Sequence, residues 1–256
     1  RKCNKMNNIY NKNYEKYMKE VFMNTLWDMK EEKNFKDCGD RKFKGNFLPC
    51  IVKNCLLRYT KESDEFLDPC VGSGTSIDMA KKLNRKCFAA DLFPNIKYKN
   101  KIIQADVCSA DYLNKKFKLI IFHPPYAGII KYSDEKQDLS NVKNGEEFLQ
   151  KIKPAIKNLV NHLEEKGWLC LVIGDYYLKG EYYPLAFRLM DLFLKEGLIL
   201  KSINIKDSPD RANYLGKNYK LWCYRHLKYG TYFFKHEYVI IFRNRKKNFI
   251  KYIYIY

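Results

Sequence analysis

What this chain of 256 residues lacks narrows its class before any motif is read. No apolar run approaches the roughly 20 residues of a membrane-spanning helix; the longest are short pieces at residues 168–174 and 238–242, so no membrane role is expected. The nine cysteines include no Cys-x-x-Cys pair, and Cys87, Cys108 and Cys170 stand in apolar, strand-like settings. That pattern argues against a zinc ribbon or a disulfide framework, and for reduced thiols in a cytoplasmic protein. Cys223, His226 and His236 have no evident fourth ligand beside them, so no metal is expected. A Gly/Ser linker and an internal repeat are both missing, which favours one domain over residues 43–256 behind a charged extension at 1–42. No charged-then-apolar leader opens the chain, yet its first residue is Arg and not Met, as expected if a preceding segment had been removed.

Acidic residues are also in short supply. The formal charge is 48 − 29 = +19, which favours a polyanionic partner through steering and counterion release. Only nine of the 48 cations are Arg. The accompanying wealth of Lys, Asn, Ile and Tyr matches an AT-rich coding bias, which accounts for part of the excess.

Along the chain, helical spacing at residues 14–27 (Tyr17, Val21, Phe22, Leu26) predicts an N-terminal helix. Pro49 opens an apolar-periodic stretch that predicts a second helix ending near Arg58-Tyr59-Thr60. Strands are then predicted at 66–70, 86–92, 101–107, 119–123, 168–175, 198–205 and 238–243, with helices at 75–84, 146–166 and 184–196. Near-continuous apolar strands separated by amphipathic helices predict a doubly wound α/β sheet, mostly parallel and covered on both faces. The seventh strand follows a long aromatic-rich connection at 207–235, read as having no helix, and is expected to enter antiparallel.

Two short segments carry the chemistry. The first strand runs into Asp68-Pro69-Cys70-Val71-Gly72-Ser73-Gly74-Thr75, where the glycines let the backbone turn sharply close to a ligand. Asp91, about twenty residues on, is spaced to accept from two ribose hydroxyls, and Asp106 from an adenine amino group. S-adenosyl-L-methionine fits this turn better than NAD, because a third glycine is missing and Asp68 offers a partner to a cationic amino acid moiety. The second segment is a buried strand leading into His123-Pro124-Pro125-Tyr126. Two prolines stiffen the turn and leave the Pro124 carbonyl as an acceptor. That carbonyl and the His123 side chain can accept from an exocyclic amino group, while Tyr126 offers a face to a flipped base.

At these residues the chain resembles the DNA amino-methyltransferases that modify adenine N6 or cytosine N4. Gly45-Asn46-Phe47-x-Pro49 and Arg58-Tyr59-Thr60 upstream are similar to the element that covers the methionine end in that family. Downstream, Ile129-Ile130-Lys131-Tyr132-Ser133, Asp138-Leu139-Ser140, Ile173-Gly174-Asp175 and His236-Glu237-Tyr238 resemble a branch with a His-Pro-Pro-Tyr motif. The likeness spans roughly residues 43–245. It implies a Rossmann-like class I methyltransferase fold of seven strands, with Phe47, Asp68, Pro69, Gly72, Gly74, Thr75, Asp91 and Asp106 holding the cofactor and His123 to Tyr126 catalytic. Cys70 stands where the family has Phe, and His123 where it has Asp, Asn or Ser. Because imidazole titrates near neutrality, activity is expected to fall below about pH 6.5 as His123 loses its acceptor.

Contacts to DNA are expected from Lys131, Tyr132, Arg211, Trp222 and Arg225. The short stretch left for target recognition implies relaxed specificity, a partner subunit or missing sequence. Two other readings stand beside this one: an RNA enzyme methylating guanine N2 in tRNA, and a non-catalytic nucleic-acid-binding subunit of a methyltransferase complex.

Overall fold

The computed structural model describes residues 18–29, 37–40, 42–45, 48–126, 130–207 and 218–245. Tyr14, Tyr17, Asn46, Phe47, Ile129 and Arg211 lie outside the described residues.

The principal elements among the described residues are ten strands and five α-helices. They run β1 (Leu26–Asp28), α1 (Pro49–Tyr59), β2 (Glu65–Asp68), α2 (Thr75–Lys82), β3 (Lys86–Asp91), β4 (Ile102–Gln104), β5 (Phe117–Phe122), α3 (Gly145–Asn161) and β6 (Leu163–Ile173). After them come β7 (Tyr176–Leu178), β8 (Glu181–Tyr183), α4 (Leu185–Lys195), β9 (Ile199–Asp207), α5 (Tyr219–Tyr229) and β10 (His236–Arg243). The main sheet has the order β1-β9-β10-β6-β5-β2-β3-β4. Pairing is parallel from β6 through β4, and β10 lies antiparallel between β6 and β9. The doubly wound sheet with an antiparallel last strand is therefore as expected, but among the described residues it has eight strands.

Side-chain alternation explains why both faces are covered. Ile120 and Phe122 of β5, Leu169 and Leu171 of β6, and Ile240 and Phe242 of β10 share a core with Phe148, Ile152 and Ile156 of α3 and Leu189 and Phe193 of α4. The intervening Leu119, Ile121, Cys170, Val172, Val239 and Ile241 join Ile51, Val52 and Leu56 of α1 and Met79 of α2 on the other face. A period of two with both sides apolar gives the continuous hydrophobic runs seen in the sequence. Each fully buried side chain of this size contributes about 1.5–3 kcal/mol.

Several boundaries differ from expectation. The described part of the predicted N-terminal helix contains one helical turn at 18–20 and then β1, an edge strand parallel to β9. Trp27 is buried and stacks on Phe22 at 5.1 Å, while its neighbour Leu26 points out; this one-in, one-out pattern is a strand's. The predicted helix at 146–166 stops at Asn161, and β6 begins at Leu163, opposite Phe117. Lys166 has φ +60°, and the β5–β6 register shifts between Phe117 and Leu119, so an irregular strand start was hidden by its charged residues. The 207–235 connection does hold a helix, α5, closed by Gly230 in the left-handed region. None of its residues is buried, so no apolar stripe announced it. The β7–β8 hairpin was also unforeseen; it is built largely from tyrosines.

No disulfide joins the cysteines of the described residues; Cys170 is buried, while Cys87 and Cys108 are partly exposed. No helix among the described residues is long and apolar enough to cross a membrane.

Candidate active site

Two corners at the carboxyl ends of the parallel strands meet in one cavity of about 580 Å³, within the usual range for small-molecule sites. At one end it is walled by Pro69, Gly72 and Ser73 after β2, by Asp91 and Phe93 after β3, and by Asp106 after β4. At the other end stand His123, Pro124, Pro125 and Tyr126 after β5, with Gly174, Lys206, Phe234, His236 and Glu237.

The cofactor end owes its shape to backbone. Gly72 and Gly74 have φ of +45° and +82°, a region that side chains other than glycine's disfavour. A Cβ on Gly74 would lie 2.4 Å from the Tyr98 ring, and one on Gly72 would lie 2.9 Å from the Phe43 ring. The Gly72 N–H donates to Asp91 Oδ2 at 2.8 Å, and the Phe93 N–H donates to Asp91 Oδ1 at 3.0 Å. Burial raises the Asp91 pKa, and these backbone N–H groups pull against it. Each Asp91 oxygen keeps lone-pair capacity for a ligand. Asp106 Oδ1 accepts from the Cys108 N–H at 2.9 Å. It lies two residues past β4 and does not end that strand, because β4 is shorter than predicted.

Asp68, Gly74 and Thr75 were expected to line this end but do not border the cavity. Asp68 is buried beneath the turn, where its carboxylate accepts from the Ser76 hydroxyl and the Cys70 N–H. Burial pushes its pKa up to about 7 against the pull of those donors. Its observed contacts tie the turn to the first residues of α2. Thr75 Oγ1 is 2.9 Å from Ser73 Oγ, also inside the turn.

Across the mouth, Phe43 stacks on Tyr132 with ring centroids 5.8 Å apart. Tyr132, expected to contact DNA, thus lines the cavity beside the cofactor turn. Lys131 is exposed and paired with Asp134. Trp222 and Arg225 lie on α5, away from the cavity lining, with the guanidinium 5.0 Å from the indole centroid.

At the opposite end, His123 Nε2 is 3.4 Å from the Tyr126 hydroxyl, which donates to Glu237 Oε1 at 2.9 Å. Glu237 is in turn salt-bridged to Lys206, its register partner on β9. Burial holds the His123 pKa down, at about 4, with Glu237 raising it and Lys206 lowering it. Burial alone would raise Glu237, but Lys206 and His123 outweigh it and leave the carboxyl below its ordinary value. Tyr126 is pushed well above the ordinary phenol value, first by burial and then by Glu237. Lys206, Phe43 and Phe234 escaped the sequence reading. An acid near the start of a largely apolar strand, as Glu237 is, was the available signal that a cation lay nearby.

Residues 2–103 match the model of the DNA methylase family. The matched stretch contains α1, the glycine turn and Asp91, and ends before the His123–Tyr126 turn. No curated protein matches the chain. Among solved structures it is similar to TrmN from Thermus thermophilus, at 14% identity and TM-score 0.48, covering 78% of this chain and 50% of that one. It therefore spans half the length of that relative. Another Thermus thermophilus protein, assigned as a DNA modification methylase and crystallised with S-adenosyl-L-methionine, aligns at 16% identity and TM-score 0.34, over 50% of this chain and 48% of that one. The cyclase SpnF aligns at 11% identity and TM-score 0.50, over 82% and 88%. Such identities speak to fold alone. Strand order and the likeness to SpnF give a Rossmann-like class I fold. The family match covers residues 2–103 of the 256.

Proposed function

We propose that the chain transfers a methyl group from S-adenosyl-L-methionine to the exocyclic amino group of a flipped DNA base, adenine N6 or cytosine N4. The observation that carries this reading is the single cavity shared by the glycine turn and the His123–Tyr126 turn. Had the two opened on opposite sides of the sheet, no direct transfer could connect them.

The residues present fit the cofactor. Three neighbouring strand ends supply a glycine-backed floor and two carboxylates, Asp91 and Asp106, facing one space. Asp91 would take the ribose hydroxyls and Asp106 the adenine amino group, with Pro69 and Gly72 beneath the methionine end. When bound, the cofactor supplies an electrophilic methyl group on a sulfonium.

The chain's own residues act on the base. The Pro124 carbonyl and the neutral imidazole of His123 would accept hydrogens of the target amino group, freeing its lone pair, and the proton that the nitrogen loses on methylation would pass by way of these acceptors to solvent. Tyr126 stacks on the base, a contact worth about 1–3 kcal/mol. The reaction needs little covalent help from the protein, so positioning carries most of the rate. Burial keeps His123 unprotonated through neutrality, so its acceptor is present at working pH. Outside the cavity, Lys131, Trp222, Arg225 and, beyond the described residues, Arg211 would contact flanking phosphates and bases. An excess of 19 positive charges suits that partner.

The test is incubation of the protein with labelled cofactor and, separately, DNA and tRNA, followed by mass spectrometry of the nucleosides. N6-methyladenine or N4-methylcytosine from DNA supports the reading. N2-methylguanine from tRNA replaces it with the RNA alternative, and failure to bind cofactor in calorimetry favours the non-catalytic subunit.

A further inference from the structure

Residues 219–235, which close the long connection before β10, carry Lys220, Arg225, Lys228 and Lys235, all exposed, and no Asp or Glu. Aromatic rings are interleaved with these cations. Trp222, Tyr224, Tyr229 and Tyr232 stand in solvent, Tyr232 with 81% of its surface exposed. The inner side of α5 rests on Phe233, through His226 at 4.1 Å and Tyr219 at 5.8 Å. Trp222, Arg225 and Tyr229, spaced i, i+3 and i+7, share another side of the helix, with the Arg225 guanidinium 5.0 Å from the indole centroid.

A run of rings joins this face to the cavity. Phe234 lines the cavity and packs on Tyr177 of β7 at 4.9 Å. Tyr177 lies 6.2 Å from His226, and His226 lies 6.3 Å from Trp222. The Tyr232 N–H donates to the Tyr177 hydroxyl, which fixes Tyr232 beside the same hairpin.

We infer that the outer side of α5, with Tyr232, binds an unpaired DNA strand leading to the cavity, so that the protein prefers single-stranded or locally melted DNA to duplex. A duplex conceals the faces of its bases, whereas an unpaired base can stack on each exposed ring while the cations follow the phosphates. A helix that reads base edges in a duplex uses Asn, Gln, Ser or Thr beside Arg, and α5 contains none of those four. Four cations without an acid suit a polyanion better than an uncharged protein surface. An unpaired base also enters the cavity without the cost of breaking a pair. That the bound strand carries the target base rests on the proposed methyl transfer; the binding face does not.

Oligo(dT) is the probe, because thymine has no exocyclic amino group and its binding owes nothing to methylation. In fluorescence anisotropy at one salt concentration, an oligo(dT) of about 20 nucleotides should bind roughly ten-fold or more tighter than its duplex with oligo(dA). Trp222→Ala and Tyr232→Ala should each weaken that binding roughly 5–150-fold. Trp222→Phe keeps a ring, so affinity should hold within about three-fold. It should nonetheless abolish the quenching of tryptophan emission by oligo(dT), since Trp27 is buried and Trp168 is stacked on Tyr59.

Equal or tighter binding of the duplex, or unchanged oligo(dT) affinity in either alanine variant, overturns the inference. Altered sedimentation of Trp222→Ala with oligo(dT) affinity intact also overturns it, and assigns the face to a protein contact. Should Trp222→Ala fail to fold by circular dichroism, Tyr232→Ala and Tyr224→Ala decide the matter by the same criterion. If oligo(dT) binds as stated but no nucleic acid is methylated, the inference stands and the proposed reaction falls. If duplex DNA is methylated and oligo(dT) binds no better than duplex, the reaction stands and the inference falls.

Discussion

The two ends of the cavity are built by different means. The cofactor end is assembled from three consecutive strand ends, held by backbone: glycine conformations, N–H groups bonded to Asp91, and a turn tied to α2 through Asp68. The other end combines a four-residue turn after β5 with Lys206 of β9 and Glu237 of β10, Glu237 lying 111 positions beyond Tyr126. One end is local and tolerates little change in backbone; the other is a long-range arrangement of side chains whose members can be removed singly. This contrast predicts that damage to the first end is structural and damage to the second is chemical.

The largest effect is expected where backbone and packing coincide. Gly74→Ala adds a Cβ at φ +82° and 2.4 Å from the Tyr98 ring, and should cost about 2–4 kcal/mol by overpacking and left-handed strain. Denaturant unfolding checks this; an unchanged midpoint would show that the turn is more pliant than its geometry implies. Next, Asp91→Asn removes charge-assisted acceptors, and cofactor affinity should weaken by roughly 10–100-fold in calorimetry. Base turnover with saturating cofactor should be far less altered.

Tyr126→Ala is the complementary probe. Loss of about 1–3 kcal/mol of stacking should reduce kcat/KM for DNA by roughly 5–150-fold, with cofactor affinity within about two-fold of the wild type. If both ligands were lost together, the two ends would be one cooperative unit and the comparison would fail.

The smallest expected effect is one of pH. His123 is neutral above its pKa, held by burial at about 4, and charged below it. Its acceptor is therefore retained as pH falls through 6.5 and is lost only on approach to 4. The His123-dependent part of kcat should stay level down to about pH 5.5, in place of the fall below about pH 6.5 expected for an exposed imidazole. The difference between the profiles of wild type and His123→Asn isolates that part. A fall centred near pH 6.5 that vanishes in His123→Asn would mean that water reaches the ring in solution. The same shift has a stability counterpart: between about pH 4 and 6.5 the unfolded chain binds more protons at this site, so stability should rise with pH across that window.

Legibility followed the same division. The glycine turn, Asp91 and the His-Pro-Pro-Tyr turn were readable because each is a contiguous segment whose residue types have few other uses. For Asp68 the sequence shows an acid beside the turn, but not that Ser76 of α2 donates to it from beneath. Helix α5 was missed because its exposed aromatic and basic faces carry no buried stripe, so periodicity had nothing to report. Lys206 was invisible because a lysine late in a strand is ordinarily a solvated residue. Only its partner on β10, Glu237, makes it part of the site.

What the amino-acid order determined by itself was the alternation of apolar strands and amphipathic helices, and the two turns whose glycines and prolines restrict the backbone locally. Those features depend on neighbours within a few residues, where sterics and hydrogen bonding act without reference to the rest of the chain. Tertiary structure alone decided that both turns open into one cavity, that β1 adds an eighth strand, and that Glu237 and Lys206 stand behind Tyr126. Such contacts arise from the order in which strands pack in the sheet, and that order is a property of the folded core as a whole.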